Sequence, residues 1–290
     1  MLSNLAAGGA GREATIVLLT DFHPQDTYIG VMKGVLATLA PRARVIDLAH
    51  GLPIGDIHQA AFKLWQATPY FPEGSIYVAV VDPGVGSARR AIAASWPGFS
   101  CVGPDNGVFT YLLVTHGEYH TALLQPERLR TGTPSLTFHG RDIFAPAAAL
   151  LANGLALDQI GPVTGNPQRF ALPKLELIEG PRVRGEILHP DRFGNLITSI
   201  GVLQPEADEL LLEPWLPHCP PARLPRRGLR LRLPNGLLLG LSNTFADVAS
   251  GEPLMYIGSD GMLEIGINRG SASTSLAIAP GQEVLLTYQG

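Results

Sequence analysis

ATIVLLTD, residues 14–21, is a short and nearly all-apolar stretch that ends in the polar pair Thr20 and Asp21. A polar loop follows, and YIGVMKGVLATLA, residues 28–40, then carries apolar residues at helical spacing. The pattern repeats in the strand-like ARVIDLAH at 43–50, the helix-like DIHQAAFKLWQATPYF at 56–71 and the strand-like GSIYVAVVDPG at 74–84. This alternation predicts an α/β domain whose mostly parallel sheet has helices on both faces.

Two aspartates follow strands of this predicted sheet. Asp21 ends the first strand, and Asp82 ends the third strand directly before a Pro-Gly turn. Ligands of open parallel sheets bind beyond the carboxyl ends of the strands. The sequence therefore predicts a binding site that contains both aspartates.

The second half of the chain has a different pattern. The region after the α/β repeats is rich in Pro and Gly, and we place a linker at 166–180 between an N-terminal domain, 14–165, and a C-terminal domain, 181–290. Short extended runs follow, with the hairpin signals PNG at 234–236 and SDG at 259–261. The C-terminal domain is therefore predicted to be a smaller antiparallel β-barrel or sandwich.

Composition and charge limit the partners of the chain. A net charge of −4 gives no general attraction to nucleic acid or anionic lipid. The one basic cluster is better interpreted as a solvated loop and strand edge than as a nucleic-acid site. That cluster consists of Arg223, Arg226, Arg227, Arg230 and Arg232. We therefore expect no nucleic-acid partner.

Membrane and targeting signals are also missing from the pattern. No apolar stretch is long enough to span a bilayer, and the first twelve residues lack the apolar core of a signal peptide. Cys101 and Cys219 form no CxxC pair, which argues against a disulfide framework or a zinc site. We expect no membrane partner, no metal and a cytoplasmic location.

The motif VVDPGVGSARR, residues 80–90, has the strongest chemical content. A buried strand runs into a Pro-Gly-x-Gly turn that allows close approach of a ligand to the backbone, and Arg89 follows Asp82 by seven residues. An ordinary turn, in which Asp82 caps backbone amides, explains the same pattern equally well.

Two further motifs carry polar clusters. FHGRDIFAPAAALL, 138–151, places His139 just before a helix, where a single histidine is often structural and no partner His or Cys lies at metal-ligand spacing. HPDRFGNLITS, 189–199, places Asp191 and Asn195 on a tight loop, where both residue types favour turns for local reasons.

Taken in order, the motifs resemble one enzyme family along nearly the whole chain from Ile16 onward. They are LLTDFHPQDTYIGVMKGV, VIDLAH, VAVVDPGVGSARR, GPDNGVF, FHGRDIFAPAAALLANG, DRFGNLITS and GMLEIGINRGSA. Together they resemble the S-adenosyl-L-methionine hydroxide adenosyltransferases, the hydrolase branch of the fluorinase and chlorinase superfamily. The resemblance implies an α/β domain, a C-terminal β-barrel, and a homotrimer with active sites between subunits.

The resemblance also implies an activity and a set of site residues. The expected reaction is hydrolysis of S-adenosyl-L-methionine to adenosine and L-methionine by attack of water on the ribose C5′, without a cofactor. The residues implied to handle the water are Asp82, Arg89 and His139. Those implied to bind substrate are Asp21 for the ribose, Asp191 for the ammonium, Asn195 for the adenine edge, Ser259 with Tyr256 near the carboxylate, and Phe245 and Arg269 beside the adenine.

This chain departs from the family at two positions. Gly55 stands in a loop where members usually carry a bulky aromatic residue, and Asp260 stands where the halogenases have an arginine after the carboxylate-binding serine. The first departure affects the wall around the sulfonium, and the second affects recognition of the carboxylate.

Three other functions are alternatives to hydrolysis of S-adenosyl-L-methionine. The halogenases carry tyrosine in place of Asp82, threonine in place of Val85 and serine in place of Gly140, and a carboxylate repels a halide. A catalytically silent adenosine-binding module is a second alternative, because fold similarity does not establish activity. A nucleotide-dependent dehydrogenase lacks its glycine fingerprint here.

Overall fold

The fold class predicted from the sequence is confirmed, with an α/β part followed by an antiparallel β-barrel. The computed structural model describes residues 13–129, 133–180 and 182–288. The chain divides into two compact units, Met1–Phe170 and Ala171–Gly290. The twelve residues for which the sequence predicts no signal peptide lie outside the described residues.

The first unit is built on one seven-stranded sheet. Its strands are β1 Thr15–Thr20, β2 Arg44–Ala49, β3 Ser75–Val80, β4 Ala91–Trp96, β5 Phe99–Pro104, β6 His120–Leu123 and β7 Val163–Thr164. Their spatial order is β2-β1-β3-β5-β4-β6-β7, with β2, β1, β3 and β5 parallel. The strands β4, β6 and β7 pair in antiparallel fashion at the other edge, which the sequence pattern did not predict strand by strand.

The register of β1 on β3 determines where the two aspartates lie. Thr20 pairs with Val80 at the carboxyl ends of the two strands. The backbone N–H of Asp21 donates to the carbonyl of Val80 at 3.4 Å. Asp21 and Asp82 therefore leave the same edge of the sheet on neighbouring strands.

Helices cover both faces of this sheet. In chain order they are α1 Thr27–Leu39, α2 Ile57–Ala67, α3 Thr110–Thr115, α4 Ala145–Ala152 and α5 Leu157–Ile160. Short 3₁₀ turns span Thr68–Tyr70 and Pro126–Arg128, and one π-helical turn, Gly140–Phe144, leads directly into α4.

Alternate side chains of β1 enter two separate cores. Ile16 and Leu18 pack with residues of α1, α4 and α5, whereas Val17 and Leu19 pack with residues of α2 and α3. All four side chains are fully buried. Burial on both faces is the reason that this strand is a continuous apolar run rather than an alternating one.

The second unit is a nearly closed β-barrel with a small additional sheet. Its strands are β8 Leu175–Ile178, β9 Arg182–Pro190, β10 Leu196–Thr198, β11 Leu203–Glu206, β12 Glu209–Leu212, β13 Ala222–Pro225, β14 Leu229–Arg232, β15 Leu238–Gly240, β16 Pro253–Ile257, β17 Leu263–Ile267 and β18 Glu283–Tyr288. A short helix, α6 Ala272–Ser275, and a 3₁₀ turn, Phe245–Asp247, complete the unit.

Barrel closure decides between the two architectures that the sequence left open. The larger sheet runs β15-β14-β18-β9-β10-β17-β16, with β8 also pairing with β9, and β11, β12 and β13 form a separate three-stranded sheet. A single bridge between Leu241 and Met255 joins the region after β15 to β16, at the opposite edge of the larger sheet. The sheet therefore curls back on itself as a barrel.

Two smaller findings bear on the sequence analysis. The segment 166–180, predicted to be a linker, contains the strand β8, which pairs with β9. Within the described ranges, no helix has the length and apolar character needed to cross a membrane.

Candidate active site

A cavity lies beyond the carboxyl ends of β1 and β3 in the first unit. Its volume is about 410 Å³. It is lined by three acidic side chains, by aromatic rings and by the loop that precedes the π-helical turn. The lining residues used below are Asp21, Phe22, Tyr28, Ile54, Gly55, Asp82, Val85, Phe138, His139 and Gly140. This is the edge at which ligands bind in parallel sheets.

Asp21 lies in this cavity and is held by the loop after β2. One carboxylate oxygen, Oδ2, accepts a hydrogen bond from the backbone N–H of Gly55 at 3.0 Å. Gly55 has a φ of +72°, a conformation that L side chains rarely adopt and glycine adopts without strain. The glycine that departs from the family pattern therefore presents its amide to Asp21.

Burial changes the ionisation of Asp21. Burial raises the pKa of its carboxyl above the usual value, the Gly55 amide opposes that rise, and the neighbouring charge of Asp82 adds to it. A carboxylate can accept more hydrogen bonds than the one from Gly55, and this capacity is suited to a hydroxyl donor from a ligand.

Asp82 and Arg89 form a two-pronged ion pair. The Nε of Arg89 donates to Oδ1 and Oδ2 of Asp82 at 2.9 and 3.0 Å, and Nη2 of the same guanidinium also donates to Oδ2. The side chains are only 5% exposed for Asp82 and 9% for Arg89. A fork of this kind fixes the orientation of the carboxylate.

His139 completes a contiguous group with this pair. Nη2 of Arg89 lies 2.6 Å from Nδ1 of His139, although the two residues are 50 positions apart in sequence. A guanidinium carries only donors, so Nδ1 is the acceptor and the ring hydrogen of neutral His139 resides on Nε2. The guanidinium also lies 5.3 Å from the ring centre of Phe144, in the π-helical turn that follows His139.

The surroundings keep His139 neutral. Burial lowers the pKa of His139 below its usual value, and the positive charge of Arg89 lowers it further. The carboxylates of Asp82 and Asp142 act in the opposite direction without reversing the shift. A neutral imidazole is the form that accepts the hydrogen bond from Arg89.

Two neighbours of His139 in sequence have a structural role. Arg141 donates to both oxygens of Asp142, and Asp142 also accepts the backbone N–H of Ser135 at 2.8 Å. These bonds tie the loop before the π-helical turn to the turn itself. They keep His139 in place.

The second unit contains the other residues implied by the resemblance. The Oδ1 atom of Asp191 accepts the backbone N–H groups of Phe193 and Asn195, each at 2.8 Å, and Oδ2 accepts the side-chain amide of Asn195 at 2.9 Å. The preference of Asp and Asn for turns therefore appears here as hydrogen bonds within the turn itself. Asn195 is buried, and its backbone carbonyl accepts the N–H of Asp191 at 2.8 Å.

Phe245 and Tyr256 lie near this turn, with ring centres 4.9 Å apart. The hydroxyl of Tyr256 donates to Glu264 at 2.6 Å, and burial raises the pKa of Glu264. Asn195, Phe245 and Arg269 line a second cavity of about 480 Å³. Ser259 lies on an exposed turn after β16 and is not among the residues that line this cavity.

Three features of these sites were not found from the sequence. The rings of Phe22, Tyr28 and Phe138 form a cluster with centres 5.1–6.0 Å apart at the first cavity. The Gly55 amide at Asp21 and the Tyr256–Glu264 bond were also missed. Each joins residues from separate segments, and no local pattern signals such contacts.

Within the described ranges 13–129, 133–180 and 182–288, no cluster of three or more His, Cys, Asp or Glu side chains is arranged to hold a metal ion.

Comparison with known proteins matches both parts of the chain. The SAM hydroxide adenosyltransferase N-terminal domain matches residues 16–161, and the SAM hydroxide adenosyltransferase C-terminal domain matches residues 185–285. A protein of Thermus thermophilus named (R)-S-adenosyl-L-methionine hydrolase is 42% identical over 93% of this chain and 98% of its own length. A fluorinase of an Actinoplanes species is 26% identical over 94% of this chain and 97% of its own.

The fold also matches a solved structure. An uncharacterized conserved protein from Thermotoga maritima superposes with a TM-score of 0.78 and 31% sequence identity. The match covers 93% of this chain and 99% of that chain. The similarity thus spans both units.

The ionisation of His139 gives a direct test of this geometry. We expect NMR titration to give His139 a pKa below that of an unperturbed histidine, about 6.5, because of burial and the charge of Arg89. In Arg89→Gln the pKa should rise, since the nearby positive charge is gone and Asp82 remains. The control Arg128→Gln removes an exposed arginine from the same unit and should leave the pKa of His139 unchanged. An unchanged pKa in Arg89→Gln would contradict the contact between Arg89 and His139.

Proposed function

The chain belongs to the SAM hydroxide adenosyltransferase family, and we propose that it hydrolyses (R)-S-adenosyl-L-methionine to adenosine and L-methionine in the first-unit cavity. Hydrolysis of S-adenosyl-L-methionine follows from relatives named for that activity at high coverage. The choice of the (R) sulfonium rests on the names of those relatives. The roles of the individual residues are our inference.

One observation carries the mechanism: Asp82 and His139 line a cavity that also holds Asp21, and Arg89 bonds to both of them. Asp82 and Arg89 are nearly buried, and their hydrogen bonds orient the group. A preorganised polar group in a partly desolvated site lowers the cost of positioning a small nucleophile.

The chemistry of the substrate determines which catalytic groups the reaction needs. A sulfonium carries a positive charge and leaves C5′ as a neutral thioether, taking the electron pair of the C5′–S bond. The leaving group therefore needs no general acid. Water is a weak nucleophile, and its oxygen has to be held in line with the breaking bond while one proton departs.

The contacts of Arg89 suggest how the three side chains divide this task. Both oxygens of Asp82 accept from Arg89, which orients the carboxylate as an acceptor for a water hydrogen, and the proton that the water loses passes to this carboxylate. Neutral His139 offers Nε2–H, which can donate to the water oxygen. The positive charge of Arg89 favours the hydroxide character that develops during attack.

The remaining residues are proposed to bind the substrate. Asp21 has the acceptor capacity for a ribose hydroxyl, and the cluster of Phe22, Tyr28 and Phe138 offers ring faces that attract a sulfonium cation. In the second unit, the proposed contacts are Asp191 and Ser259 with Tyr256 for the methionine end, and Asn195, Phe245 and Arg269 for the adenine.

The halogenase alternative has less support. Asp82 places a carboxylate where a halide would approach, and like charges repel. A Cβ atom on Gly140, the position of the halogenase serine, would lie 3.0 Å from Sδ of Met32 and 3.3 Å from the ring of Phe138. A serine there would force these neighbours to move.

We also propose that the protein acts as a homotrimer, with each site completed by the second unit of a neighbouring subunit. The mouth of the first cavity carries exposed apolar side chains, Ile54 at 95%, Tyr28 at 47% and Val85 at 37%. Phe193, which lines the second cavity, is 82% exposed. Apolar groups that surround a polar cavity are typical of a surface that is covered in the working state.

We also propose that the protein is cytoplasmic, as its sequence predicts. Cys101 and Cys219 are both buried free thiols, which need no oxidising compartment.

Product analysis in oxygen-18 water tests the reaction. Purified protein is incubated with each sulfonium epimer in chloride-free buffer. The products are separated by liquid chromatography, and their masses are determined by mass spectrometry. We expect adenosine with the heavy oxygen at its 5′ position, together with methionine, and faster turnover of the (R) epimer. A 5′-halo product on addition of halide would instead indicate a halogenase, and binding without turnover a silent module.

Two matched aspartate variants test the division between catalysis and binding. Asp82→Asn should lower kcat by about 10² to 10⁴-fold with a small change in KM, because the neutral amide no longer takes the proton of the water. Asp21→Asn should mainly raise KM and weaken adenosine binding in calorimetry, because one carboxylate acceptor becomes an NH₂ donor. Equal effects of the two substitutions on kcat and KM would contradict the assignment.

Light scattering tests the trimer. The protein should elute as a particle of three chains, and Ile54→Glu should dissociate it, because a charge would replace an apolar contact. Leu237→Glu adds the same charge to an exposed position of the second unit and should leave the trimer intact. A monomeric native protein would rule the trimer out.

A further inference from the structure

The turn after β5 lies behind the Asp82–Arg89 pair. It belongs to GPDNGVF, residues 103–109, a motif to which neither the sequence nor the proposed mechanism gives a role. Asp105 is buried at 2% exposure, and Asn106 is partly buried. Neither residue is among those that line the first cavity. Their contacts lead instead to the residues beside the pair.

Asp105 holds the backbone next to Arg89. Its Oδ2 accepts Nε of Arg90 at 2.7 Å, and its own N–H donates to the carbonyl of Arg90 at 2.9 Å. The same carbonyl accepts Nη1 of Arg89 at 3.3 Å. One acceptor therefore receives both the amide of Asp105 and the guanidinium of Arg89.

Arg90 connects this turn to the segment after β7. Its guanidinium donates to Oγ1 of Thr164 at 3.2 Å and to the carbonyl of Asn166 at 2.7 Å. Oδ1 of Asp105 accepts the N–H of Gln168 at 2.7 Å. Arg90 is thus held by two chain segments, the turn after β5 and residues 164–166, and it cannot shift without breaking several bonds.

Asn106 holds the backbone next to Asp82. Its Nδ2 donates to the carbonyl of Val81 at 2.9 Å, and its Oδ1 accepts the N–H of Val108 at 3.2 Å. Val81 links β3 to Asp82 and has no exposed side-chain surface. The Asn106 side chain therefore fixes the peptide that immediately precedes the carboxylate.

We propose that Asp105 and Asn106 are positioning residues for hydrolysis, one for Arg89 and the other for Asp82. These two adjacent residues position the two partners of the Asp82–Arg89 ion pair. The turn therefore fixes the distance between the carboxylate and the guanidinium. The inference rests on the proposed function. It adds two residues that touch neither the cavity nor the reacting atoms but control the geometry of those that do.

Displacement of the Asp82–Arg89 pair by a fraction of an ångström is enough to slow the reaction. Misplacement of a reacting group by about 1 Å costs about 10²-fold in rate, because in-line attack depends on alignment. Substrate binding depends on other residues and should change little. The expected signature is a loss in kcat that is larger than the change in KM.

The test compares two variants with a structural control. Asp105→Asn keeps the shape of the side chain and removes its charge, and Asn106→Ala removes the bond to Val81. Ser75→Ala is the control, because it removes a buried hydrogen bond to the carbonyl of Pro72 at the opposite end of β3 from Asp82, away from Arg90 and Val81. All three are measured for kcat, KM and thermal unfolding.

The pKa of His139 provides a readout that a general loss of stability does not move. Removal of the negative charge of Asp105 would by itself lower the pKa of His139. Displacement of Arg89 acts the other way, because its charge holds that pKa down, with Asp82 and Asp142 as the other charges that act on the ring. A rise of the pKa in Asp105→Asn therefore reports movement of Arg89.

We expect both variants to lose about 10- to 100-fold in kcat with KM within about threefold, and Ser75→Ala to keep the native kcat. Asp105→Asn should also raise the pKa of His139. If both variants match the control in kcat, the proposal is overturned. Should Asp105→Asn not fold, the kcat and KM of Asn106→Ala decide the question.

Failure of the proposed function gives a different result. In that case the native protein forms no adenosine, whereas the titration of His139 in Asp105→Asn still reads the position of Arg89. An unchanged or lowered pKa there would overturn the positioning role, and a raised pKa would support it, independently of turnover.

Discussion

The guanidinium of Arg89, shared between Asp82 and His139, is the contact on which the candidate site depends. It joins a strand end, the loop that follows it and the start of a π-helical turn. Its donors fix the orientation of the carboxylate and the tautomer of the imidazole at the same time. Because the guanidinium is charged and nearly buried, the loss of either partner would leave it unpaired in a poorly solvated place.

The sheet supplies the rigidity that this contact requires. Parallel pairing of β1 with β3 brings the ends of two buried strands together, and the apolar cores on both faces hold those strands in register. Side chains carried on such strand ends move little. The turn after β5, with Asp105 and Asn106, extends this support to the loop that carries Arg89.

The second unit uses its polar residues differently. The Asp191 carboxylate satisfies its own turn through Phe193 and Asn195, so the turn is ordered before any ligand arrives. Tyr256 is oriented by Glu264 in the same way. Contacts of this kind reduce the entropy lost on binding, because the groups are already in place.

The sequence by itself determined the strand–helix repeats from β1 to β3, the fold class and the residues most directly tied to the ends of those strands. Asp21 and Asp82 were identified because apolar runs end at them, and a parallel sheet gathers such ends at one edge. The seven motifs extended this to Arg89, His139 and the residues of the barrel. These are local signals, written in consecutive residues.

Only the tertiary structure decided the contacts between distant segments. The pairing of Arg89 with His139, the bond from Gly55 to Asp21 and the support from Asp105 and Asn106 each join residues from separate elements. The antiparallel edge strands and the closure of the barrel likewise depend on long-range pairing. Such contacts are set by the packing of whole elements, and side-chain periodicity within one segment carries no record of them.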